Sequence, residues 1–159
     1  MPKVSSPLIA AMIGDPAGIG PEVCVEAISN DALRNICDTF LIGDIEAVRL
    51  AASTCGIHLP VVPIEVPQQA RNAQSLCVMD PGGMHRASYS MGQPSSAAGR
   101  AVVEWIRLGQ SLGQAGTIDG LVLGPIDSTS LQLGGIVKDI DDLQPPDTYM
   151  LRLNGPLRV

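Results

Sequence analysis

Leu8-Ile9-Ala10-Ala11-Met12-Ile13-Gly14-Asp15-Pro16-Ala17-Gly18-Ile19-Gly20-Pro21-Glu22 is the stretch that decides how this chain folds. Its first six residues are apolar without alternation, the pattern of a strand buried on both faces in a parallel sheet. A glycine-rich loop follows. Pro21 stands where a helix starts, because its fixed φ and missing N–H cost nothing in a first turn. Glu22 adds a negative charge where the helix dipole favours one. Val23, Ala27 and Ile28 continue at helical spacing to Asn30. Strand, loop and helix in this order predict an α/β unit whose loop lies at the carboxyl end of a strand, the edge where such sheets bind ligands. Glycines there allow a backbone to approach a ligand, and a helix N-terminus attracts anions. A plain tight turn would use the same glycines. The loop is not a P-loop, because Gly20 is followed by Pro21-Glu22 and not by Lys-Ser/Thr, and its glycines lack the Gly-x-Gly-x-x-Gly spacing.

Outward from that unit, residues 39–42 predict a second strand, and Asp44 a helix N-cap for residues 45–54, with Gly56 as the stop. Residues 59–66 are β-branched but carry Pro60 and Pro63, so they make an edge strand at best. Residues 75–79 read as a further strand. Residues 80–94, rich in Gly, Pro and Ser, read as a surface loop or an inter-lobe connection. Ser95 or Ser96 caps the clearest helix, with Ala98, Val102, Trp105 and Leu112 as its buried stripe and Arg100, Glu104 and Arg107 on its wet face. Residues 118–123 predict another buried strand, ending at Gly124-Pro125. Residues 149–153 and 157–159 predict two more, joined by Asn154-Gly155. The alternation of strands and helices predicts an α/β fold, a parallel sheet wound with helices.

Composition narrows the function. Of 159 residues, 45% are hydrophobic and 16% charged, which demands a buried core. The net charge of −6 without a Lys/Arg cluster argues against nucleic acid as a partner. The apolar stretch 8–13 is too short for a secretory signal or a membrane span, so the cytoplasm is the expected compartment and no membrane is expected as a partner. Cys24, Cys37, Cys55 and Cys77 are too widely spaced for a metal pair and read as small buried hydrophobes. His58 and His85 read as solvated surface side chains, without a ligand partner at i+2 to i+4. Asp139, Asp141 and Asp142 cluster before Pro145-Pro146, without the spacing of a calcium loop, and read as a solvated loop.

The nine residues Gly14 to Glu22 resemble the opening motif of the 4-hydroxythreonine-4-phosphate dehydrogenase family, and are similar to the shorter opening of isocitrate and isopropylmalate dehydrogenases, whose fold that family shares. Ile118-Asp119-Gly120-Leu121-Val122-Leu123-Gly124-Pro125-Ile126-Asp127-Ser128 is similar to the family's strand followed by Gly/Ala-Pro-Ile-Asn-Lys. Residues 149–159 resemble a family strand pair ending in Leu-Arg-Val. The resemblance implies the N-terminal half of a two-lobed, homodimeric enzyme. Residues 1–79 would be a first lobe segment, 80–94 a connection and 95–159 the start of a second segment. It implies NAD and a divalent metal such as zinc, and hydride removal from the secondary alcohol of a small molecule.

The resemblance makes Gly14, Asp15, Gly18, Ile19 and Gly20 a cofactor- or substrate-adjacent loop, and Pro125, Asp127, Ser128 and Lys138 the candidates for the substrate cleft. It leaves the catalytic residues themselves unassigned. The chain departs from the family at two places. Asp127-Ser128 replaces Asn-Lys, and nothing here matches the family's Gly-His-Thr-Glu segment. Both departures imply a substrate other than the phosphorylated hydroxyamino acid, such as a diol. The family's metal-holding histidines would lie beyond Val159, so no metal ligand is assigned in this chain. The resemblance thus implies a chain that is catalytically incomplete alone. The competing expectation is a non-catalytic truncated paralogue that binds a ligand or partner.

Overall fold

The computed structural model describes residues 6–136. Lys138, the Asp139, Asp141 and Asp142 cluster, and the strand pair expected over 149–159 lie outside them.

Five parallel strands form one sheet: β1 (Leu8–Met12), β2 (Asp38–Ile42), β3 (Val61–Pro63), β4 (Leu76–Met79) and β5 (Gly120–Leu123), in the order β3-β4-β2-β1-β5. β1 lies inside the sheet, its Ala10 facing Phe40 on one side and Leu121 on the other. This explains its unbroken apolar run: a central parallel strand has no wet face. β3 is an edge strand paired with β4, where its proline does least harm.

Among the described residues five α-helices accompany the sheet: α1 (Gly20–Ser29), α2 (Asp31–Arg34), α3 (Ile45–Thr54), α4 (Ser96–Gln114) and α5 (Ser128–Leu133). Asp44 caps α3 by accepting from Ala47 N–H at 3.1 Å. Of the two serines weighed for α4, Ser95 is the cap, accepting from Ala98 N–H at 3.1 Å. Gly99 of α4 lies so close to α5 that a Cβ would meet Ser130 O at 1.9 Å. A glycine inside a helix costs about 1 kcal/mol against alanine, and here it permits the contact. The core joins both faces of the sheet, with Trp105, Phe40, Leu8 and Met12 as its largest fully buried side chains.

Four expectations need correction. The segment expected as a buried strand over 118–123 is a short strand whose Val122 and Leu123 are exposed, because among the described residues it pairs only with β1 and forms the sheet edge. In α1 the buried stripe runs through Cys24, Val25 and Ile28, which turns Val23 and Ala27 outward. Cys55 is only half-buried, at the C-cap of α3, whereas Cys24, Cys37 and Cys77 are buried. Residues 80–94 are not wholly a surface loop, since Met84 and Tyr89 enter the core. His58 and His85 are exposed, as expected.

Candidate active site

The chain leaves β1 towards β2, reaches β4 and β3 on that side, then returns to lay β5 against the opposite flank of β1. The connections therefore diverge at the carboxyl ends of β1 and β5, the switch point where open α/β sheets form a ligand crevice. Lys138 apart, which lies outside the described residues, the segments singled out from sequence are joined there. Asp15 N–H donates to Pro125 O at 2.9 Å, and Gly124 N–H to Met12 O at 2.7 Å. The 14–20 loop and the 124–128 turn are thus one backbone-tied unit.

The glycines of this unit divide by cause. Gly14 has φ +78, and a Cβ on it would lie 2.1 Å from Pro125 O; on Gly20 it would lie 2.2 Å from Ile13 O. Both distances are forbidden, so these glycines serve packing. Gly18 is different: the nearest atom to a Cβ built there is Asp15 O at 3.5 Å, ordinary contact, so the fold itself does not require this glycine. Beside it Ile19 is 69% exposed, a large apolar side chain turned outward at the crevice. Ile19 is also the N-cap of α1 and brings no side-chain cap to its first-turn amides.

Across the crevice, Pro125 and Ile126 are exposed and Ser128 is half-buried as the first residue of α5. Asp127 is the α5 N-cap, accepting from Ser130 N–H at 2.6 Å. Asn and Asp cap equally well, so the change from the family's Asn keeps this role. The added negative charge is held at the helix start instead of projecting freely into the crevice.

Sequence reasoning placed Asp15 in the loop and Asp44 at a helix cap but passed over the Tyr89 phenol behind the crevice. Asp15 and Asp44 are 3% and 2% exposed, and Tyr89 is 5% exposed. Burial pushes the Asp44 carboxyl up, opposed by its backbone hydrogen bond from Ala47 and reinforced by Asp80. Burial pushes the Tyr89 phenol up to about 12, with Asp44 the largest electrostatic contributor, and Arg86 opposing. Asp44 is near enough to act on Tyr89 electrostatically, though Tyr89 Oη has no hydrogen bond of ordinary geometry among the described residues. One signal was available: a tyrosine amid Gly, Ser and Pro, in a chain with only 3% aromatic residues, needs a reason to be there.

Residues 35–141 match the family described as pyridoxal phosphate biosynthetic protein PdxA. The chain belongs to the PdxA family. Within curated relatives, a protein of Novosphingobium aromaticivorans assigned as a 4-hydroxythreonine-4-phosphate dehydrogenase is 30% identical over 154 residues, covering 96% of this chain and 47% of that protein. So long an alignment leaves out too little to miss the 14–22 loop. A protein of Symbiobacterium thermophilum assigned as a D-threonate 4-phosphate dehydrogenase is 30% identical over 131 residues, 82% of this chain and 39% of its own. The crystal structure of a 4-hydroxythreonine-4-phosphate dehydrogenase from Burkholderia phymatum superposes with a TM-score of 0.77 at 30% identity, covering 82% of this chain and 39% of that one. A terephthalate 1,2-cis-dihydrodiol dehydrogenase from Burkholderia xenovorans shares the fold, with a TM-score of 0.66 at 24% identity. The chain spans about half the length of the curated relatives it matches. The family's PdxA structures thus agree with the α/β fold and with the N-terminal half that the motifs implied.

Proposed function

We propose that this chain supplies the cofactor- and substrate-facing edge of a two-lobed, homodimeric, NAD-dependent dehydrogenase that oxidises the secondary alcohol of a small, unphosphorylated diol or hydroxy acid. One observation carries the reading: the 14–20 loop and the 125–128 turn, far apart in sequence, are tied together at the switch point of the sheet. The relatives' assignments as dehydrogenases support the chemistry. A bound NAD would supply the hydride acceptor for such an oxidation, and the 14–20 loop with the start of α1 would hold it.

The residues at hand divide the work of binding. Gly18 leaves room beside the loop, and Ile19 offers an apolar face against a ring or ribose. The uncapped start of α1 favours a negatively charged group. Pro125 and Ser128 border the other side, and Lys138 follows in sequence. A divalent metal would polarise the alcohol oxygen when bound. No group of three His, Cys, Asp or Glu side chains suited to a metal assembles among the described residues, so they do not form that centre.

The test is NAD reduction by the protein as its source makes it, offered 4-phosphohydroxythreonine, D-threonate 4-phosphate and an acidic cyclic cis-diol. The diol is expected to be oxidised fastest, because Ser128 stands where the resemblance has a phosphate-suited lysine. Preference for either phosphorylated substrate would overturn the substrate class, and turnover of none would favour a binding role.

A further inference from the structure

Residues 80–95 run along the carboxyl edge of the sheet in strand order. Asp80, after β4, accepts from Ile45 N–H at the start of α3, just beyond β2, 3.0 Å away. Gly92 N–H donates to Ala17 O, in the loop after β1, at 2.7 Å. Ser95 N–H donates to Ser130 Oγ, in the helix after β5, at 3.2 Å. The segment is a strap over the candidate site. Between its first two ties it sends Met84 and Tyr89 into the core. The Tyr89 ring lies under the Arg86 guanidinium, 4.9 Å away, and Arg86 Nη1 donates to Tyr89 O at 3.0 Å.

Beneath the strap, Asp44 and Asp15 are buried carboxylates from the loops after β2 and β1. Each has one oxygen engaged by a backbone amide: Ala47 N–H on Asp44 Oδ2 and Ala17 N–H on Asp15 Oδ1. Buried carboxylates need further donors. Asp15 Oδ2 and Tyr89 Oη are both buried without a partner among the described residues. The Gly92–Ala17 tie joins the strap to the 14–20 loop close to both atoms in sequence, and two buried polar atoms so placed are completed by a connection through a water. We propose that Tyr89 pins the strap over the ligand-facing loop, its one hydroxyl proton donated through a buried water to the Asp15 carboxylate. Ring packing alone would not require the hydroxyl. The pin deepens the dehydrogenase reading by naming what holds the 14–20 loop in place, yet it exists whether or not that edge binds a nucleotide, so its test needs no turnover.

Tyr89→Phe keeps the ring and removes the donor. Hydrogen exchange across residues 84–94 and tryptic cleavage after exposed Arg86 would be compared in the variant and the parent, both shown folded by circular dichroism. The pin predicts that both rates rise about tenfold in Tyr89→Phe; unchanged rates overturn it. A second measurement needs no variant. In the parent protein with labelled tyrosine, the Tyr89 hydroxyl proton is expected in slow exchange with water, and a hydroxyl exchanging as fast as a free phenol would equally overturn the pin.

Discussion

Gly14, Gly18 and Gly20 sit within seven residues of one loop, yet they answer to different forces. At Gly20 a methyl group would have to occupy the space of Ile13 O, 2.2 Å from the built Cβ, and at Gly18 it would meet only ordinary contacts. Overpacking of this kind costs about 1–3 kcal/mol or more. Gly20→Ala should therefore lower the urea midpoint clearly, while Gly18→Val should leave it close to that of the parent; equal losses would contradict the packing account. Tyr89 gives a pH signature at the same scale. Its phenol is pushed up to about 12 in the folded chain, against an ordinary value near 10. Between those values the folded chain keeps a proton that the unfolded chain has lost, so stability should fall as pH rises through that window. The loss is on the order of 2–3 kcal/mol. Urea unfolding at several alkaline pH values should show this slope in the parent and lose it in Tyr89→Phe. The motif told which loop mattered, but not which glycine was packed and which was open, because that depends on carbonyls of residues 13 and 125 brought in by the fold.

Helix α5 begins at a residue first read as a cleft anion. Asp127 caps it through Ser130 N–H, and losing such a cap costs about 1 kcal/mol. Asp127→Ala should destabilise the chain by about that much in thermal or urea unfolding, and Asp127→Asn should be nearly neutral. A large loss in the Asn variant would mean that the charge itself, and not the cap, is what the fold uses. Elements with strong local signals were legible. The apolar run of β1, the Asp44 cap and the Ser95 cap of α4 all announce themselves within a few residues. β5 was legible as a strand but not as an edge, since edge or centre is decided by neighbours distant in sequence. α5 has only six residues, too few for an apolar period, so its cap was read as a substituent of the cleft.

The whole molecule combines a parallel sheet, a switch point and a strap crossing it, in a chain about half as long as its curated relatives. The described part also turns apolar side chains outward around β5 and α5, among them Val122, Leu123 and Leu133. The central claim is that the β1–β5 crevice receives the nucleotide or substrate. It is tested most directly by kcat/KM for NAD reduction in the parent protein and in Gly18→Val, on whichever diol or hydroxy acid is turned over, with Arg100→Ala as the surface control. A Cβ at Gly18 meets only ordinary contacts, and valine adds bulk to the loop next to exposed Ile19. The account predicts at least a tenfold fall in kcat/KM, about 1.4 kcal/mol of transition-state stabilisation, with the urea midpoint unchanged and the Arg100→Ala enzyme at parental activity. Parental kcat/KM in Gly18→Val would contradict it.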